Sequence, residues 1–68
     1  MYYLIEVTET AEGTAKAIWD KATPDEATMQ LHQTLASAMA NEAVRSCLCM
    51  VIDARGAVMR HEYWERTA

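Results

Sequence analysis

The chain has 68 residues, 51% of them hydrophobic, two cysteines and a net charge of −4. That length sets one domain, 1–68, too small to offset its conformational entropy by core burial alone, and two cysteines cannot build a disulfide framework, so oligomerisation is the expected stabiliser. The acidic balance argues against generic nucleic-acid binding, which needs Lys and Arg against phosphate, and the absence of a basic leader or a bilayer-length apolar stretch predicts a cytoplasmic protein with reduced thiols and no membrane contact.

Residues 2–9 alternate and are rich in β-formers, with Tyr3, Ile5 and Val7 on one face and Tyr2, Leu4, Glu6 and Thr8 on the other, which predicts a first strand. Glu12-Gly13 marks a turn, and Thr14 to Lys21 reads as a second strand with Ala15, Ala17 and Trp19 opposite Lys16, Ile18 and Asp20. Thr23-Pro24-Asp25-Glu26 opens a helix: Thr23 is the N-cap, Pro24 occupies the first turn, and Glu26 sits three residues after the cap. From there Ala27, Leu31, Leu35, Ala38 and Met39 form an apolar stripe to about residue 42.

Cys47 to Ile52 is an unbroken apolar run inside a strand from Ser46 to Asp53, greasy on both faces and therefore requiring cover on both. Asp53-Ala54-Arg55-Gly56 suits a type I turn with Gly56 in the left-handed position, pairing Asp53 with Ala57. Counting outward sets Val51 opposite Met59, Cys49 opposite His61 and Cys47 opposite Tyr63. Ile52–Val58, Met50–Arg60 and Leu48–Glu62 fall on the other face.

The order β-β-α-β-β predicts an α+β fold, a four-stranded antiparallel sheet of order 2-1-3-4 with one helix on one face. The expected core is Ile5, Val7, Trp19, Leu31, Leu35, Met39, Leu48, Met50, Ile52 and Val58. The uncovered face then holds Tyr2, Leu4, Ile18, Cys49, Val51 and Met59, with His61 and Tyr63 beside them. So large an apolar patch predicts a homo-oligomer, sheet against sheet.

Charge is unevenly spread: residues 1–34 hold six acids against Lys16 and Lys21, and residues 35–68 balance four acids with Arg45, Arg55, Arg60 and Arg66. In the last strand, Arg60, His61, Tyr63, Trp64 and Arg66 are the candidate binding residues, because guanidinium forks grip anions and aromatic faces stack on bases. Strand alternation puts Arg60, Trp64 and Arg66 on one face, with Glu62 standing between them on it. Cys47, Cys49, His61 and His32 do not make a zinc site, since C-x-C on one strand splays its sulfurs and His32 is distant. The two cysteines, about 6.5–7 Å apart along the strand, are too far for an easy bridge. A Cys49–His61 nucleophile would lack an oxyanion site and an orienting carboxylate, so no enzyme, metal or cofactor is expected.

Thr14-Ala15-Lys16-Ala17-Ile18-Trp19, Thr23-Pro24-Asp25-Glu26-Ala27, the helix from His32 to Met39, Leu48-Cys49-Met50-Val51-Ile52-Asp53, Gly56-Ala57-Val58 and Glu62-Tyr63-Trp64-Glu65-Arg66 together resemble small uncharacterised proteins of phages and mobile elements of gut Firmicutes. The resemblance covers nearly the whole chain and carries no catalytic residues. It implies a phage-type accessory protein of the bacterial host cytoplasm, a counter-defence or host-takeover factor that inhibits a host protein by stoichiometric binding. The alternative expectation is a sponge holding a nucleotide-like ligand between subunits.

Overall fold

A computed structural model describes residues 1–67, with β1 (Tyr2–Thr10), β2 (Gly13–Lys21), α1 (Pro24–Ala40), β3 (Val44–Asp53) and β4 (Val58–Glu65). The strands form one antiparallel sheet of order β2-β1-β3-β4, and α1 lies over β3 and β1 and touches β2. This is the α+β arrangement that the order of elements predicts.

Local chemistry accounts for the boundaries. Thr23 has extended backbone geometry and its Oγ1 accepts from the Glu26 N–H at 3.1 Å, while Pro24 occupies the first turn without wasting a donor. The helix stops at Ala40; Asn41 then accepts from the Ala43 N–H at 3.0 Å through Oδ1, turning the chain toward β3. In the β3–β4 turn, Gly56 donates to the Asp53 carbonyl at 3.0 Å with φ of +89°, and Asp53 Oδ1 takes the N–H groups of Arg55 and Ala57 at 2.9 and 3.0 Å. Asp53 N–H donates to the Ala57 carbonyl, which makes the pair that the turn requires.

The faces of β1 and β3 are exchanged relative to expectation, while on β2 Trp19 faces the helix and Ile18 the open side as expected. Leu4, Cys47, Cys49 and Val51, none more than 1% exposed, form the core with Ala27, Leu31, Ala38 and Val44, and Tyr2, Trp19, Leu35 and Trp64 pack around them. Ile5, Val7, Leu48, Met50 and Ile52 are half-buried on the opposite, helix-free face, and Met39 and Val58 are exposed. On β3 the covered face carries the smaller side chains: Cys47, Cys49 and Val51 lie beneath a helix that buries Ala27, Leu31, Thr34 and Ala38, and the bulkier Leu48, Met50 and Ile52 take the other side.

A second correction concerns β4. Ile52 pairs with Val58 as the turn dictates, but a bulge at Met59 shifts the remainder by one, so Val51 faces Arg60, Cys49 faces Glu62 and Cys47 faces Trp64. The shift and the face exchange cancel for His61 and Tyr63, which still lie on the helix-free side.

Candidate functional site

Directly opposed residues share a face, so the registers define rows across the helix-free side. The first row runs Asp20–Tyr3–Ile52–Val58, the second Ile18–Ile5–Met50–His61, and the third Lys16–Val7–Leu48–Tyr63. The central strands thus contribute six apolar side chains and the flanking strands a mixture. Ile18 is 66% exposed and Tyr63 58% exposed, large values for side chains at the margins of an apolar patch. The Tyr63 phenol donates to Glu65 at 2.9 Å, and that hydrogen bond raises its pKa above the ordinary value.

Of the residues expected at an oligomer interface, Ile18 belongs to this face and Met59 is the exposed residue at the bulge. Leu4, Cys49 and Val51 lie beneath the helix and Tyr2 packs against the core, so none of these four is available to a partner sheet. The residues that replace them are Tyr3, Ile5, Val7, Leu48, Met50 and Ile52, and on β3 the signal was size, since Leu48, Met50 and Ile52 are bulkier than the Cys47, Cys49 and Val51 of the other face.

The candidate binding residues at β4 divide between the two faces of the sheet. Arg60 and Trp64 point to the helix side of the sheet, His61 and Tyr63 to the other. Arg66 has a structural role: its Nε donates to the Val44 carbonyl at 3.0 Å, and one terminal nitrogen donates to the Met39 and Asn41 carbonyls at 3.2 and 3.1 Å. The guanidinium also stacks over Trp64 at 4.8 Å from the ring centre. Because α1 has no basic residue in its last turn, Arg66 supplies from the far end of the chain the cation that the helix C-terminus lacks. That missing charge was the sequence signal for this contact.

Cys47 and Cys49 are free, fully buried thiols whose sulfurs lean together to 3.6 Å, closer than their spacing along the strand suggests. Burial, the hydrogen bond with Cys47 and the negative charge of Glu6 push the Cys49 thiol up to about 12, leaving it protonated and unreactive at neutral pH. Among the described residues, no group of three or more His, Cys, Asp or Glu is placed to hold a metal ion, and no helix is long and apolar enough to cross a membrane.

Compared with protein-family models, curated proteins and solved structures, the chain gives no match to any of them.

Proposed function

We propose that this chain is a non-catalytic binding protein that functions as a homodimer joined through the helix-free face of its sheet and holds a partner protein in fixed ratio. The observation that supports it is the six-residue apolar centre of that face, flanked by Ile18 and Tyr63. Four strands about 4.8 Å apart and nine residues of about 3.3 Å each give roughly 550 Å² per protomer, or about 1,100 Å² for the pair. That clears the ~1,000 Å² that a specific interface needs.

Charge placement favours a second copy as the cover. A two-fold axis running along the Ile18–Ile5–Met50–His61 row stacks Ile18 on its own counterpart and sets each Asp20 against the Lys16 of the other copy, because the two lie one row to either side of Ile18 on β2. The patch is then self-complementary, and it leaves both sheet edges and the outer helix surface free for a third molecule. On the resemblance read from the sequence, that third molecule is a host protein.

The experiment is a charge swap followed by equilibrium sedimentation. Lys16→Asp and Asp20→Lys should each weaken dimerisation roughly tenfold, since each replaces two rim attractions by repulsions, and the double swap should restore it. A double variant as weak as the singles contradicts this geometry. Loss of fixed-ratio partner capture in the single variants and its recovery in the double would link the dimer to function.

A further inference from the structure

On the other side of the sheet, between α1 and the β1–β2 hairpin, lies a groove of about 660 Å³, within the range of small-molecule sites. It exists because the helix-facing residues of β2 along it are Ala15 and Ala17, which leave unfilled a space where larger side chains would have met the helix. In so small a domain that is burial forgone, at about 1.5–3 kcal/mol for each aliphatic side chain that would have filled it.

The lining has a consistent chemistry. One wall is an uncharged hydrogen-bonding stripe, Gln30, Gln33, Ser37 and Asn41, running along a flank of the helix for roughly 16 Å at 1.5 Å per residue. Trp19 contributes an aromatic surface. The floor holds Glu6, half-buried, whose cross-strand neighbours are the neutral Ala17 and Cys49 and whose carboxylate accepts from the Thr8 hydroxyl at 2.9 Å. Thr8 lies 4.0 Å from the Cys47 sulfur as well, but one hydroxyl proton serves the shorter contact. Lys16, the basic residue at the rim, belongs by register to the opposite face.

A carboxylate with neutral strand neighbours, on the floor of a groove walled by amides and hydroxyls, repels anions and attracts a positive group. An aromatic ring favours the same sign. We propose that this groove binds a small organic cation, an ammonium or guanidinium on a hydrogen-bonding body, with Glu6 as counter-charge, the α1 amides as orienting partners and Trp19 as the surface against which the body packs. It is separate from the helix-free face, so a dimer leaves it open.

Agmatine, which carries both cationic groups on a short chain, is the probe, titrated into the full chain by calorimetry and by amide and indole NMR shifts. The expected result is roughly millimolar affinity, consistent with so few atoms, with shifts at Trp19, Gln30 and Gln33. Glu6→Gln, which keeps an acceptor for Thr8, should weaken binding at least about tenfold, the scale of one charge-assisted contact. Ala17→Leu should fill the groove and abolish binding while the far-ultraviolet spectrum stays native. No shifts at these residues with agmatine, equal affinity in Glu6→Gln, or tighter binding of ATP than of agmatine would each overturn the assignment.

Discussion

Removing the Arg66 guanidinium should destabilise the protein far more than its place near the chain end suggests. Arg66→Ala deletes three charge-assisted hydrogen bonds to carbonyls at 3.0–3.2 Å and the stacking contact with Trp64. The bond to Val44 is partly buried and contributes about 1.5 kcal/mol, whereas water replaces much of the two exposed bonds, leaving about 0.5 kcal/mol each. Stacking adds roughly 0.5 kcal/mol at such a site. The sum is about 3 kcal/mol, against a total of roughly 3–10 kcal/mol for a domain of this length. Urea unfolding followed by circular dichroism, at one fixed protein concentration so that association is held constant, should give a loss of about 2–3 kcal/mol. Arg66→Lys, with one ammonium in place of a planar fork, should recover less than half of it, and Arg60→Ala should stay within about 0.5 kcal/mol of wild type. An Arg66→Ala variant as stable as Arg60→Ala would refute the clamp and return Arg66 to the candidate ligand-binding residues.

Leu31→Ala, at a position with no exposure, should lose about 3 kcal/mol, while Met39→Ala, about half exposed, should lose under about 0.5 kcal/mol; equal losses would show that the helix presents a different stripe. Cys49, protonated in the fold up to about 12, should resist Ellman's reagent at pH 8 without denaturant, and rapid labelling of the native protein would contradict its burial. Because the unfolded thiol ionises near pH 9 and the folded one near 12, its stabilisation is complete below pH 9 and falls as pH rises between those values. Urea midpoints that are flat from pH 8.5 to 11 would argue against the shift.

What was legible in the sequence was local. Thr23-Pro24 and the acids after it fix the helix start, and Asp53 to Gly56 fixes the last hairpin, because the signals lie within a few residues of the structure they determine. The face that the helix covers was not legible from alternation. β1 and β3 carry apolar residues on both sides, so a period of two cannot choose between them, and on β3 the covered face is the one with the smaller side chains: Cys47 and Cys49 lie under Ala27, Thr34 and Ala38. The Met59 bulge has no glycine to announce it, and it moves Arg60 and Trp64 away from the expected register. Arg66 meets a helix end 25 residues earlier in sequence: the lack of a basic residue in the last turn of α1 signals the need for a cation, and laying β4 beside β3 shows which residue supplies it. The groove follows from Ala15 and Ala17, which in sequence read as a weak strand rather than as missing volume.

The association of two copies through the helix-free face is tested most directly by the molar mass in solution, from light scattering on wild type and on Met50→Glu, which puts a charge at the centre of the apolar rows. The account predicts twice the 7.7 kDa chain mass for wild type and a folded species at the single-chain mass for the variant. A wild-type protein that stays at the single-chain mass up to millimolar concentration, or a Met50→Glu variant that remains a dimer, would contradict it.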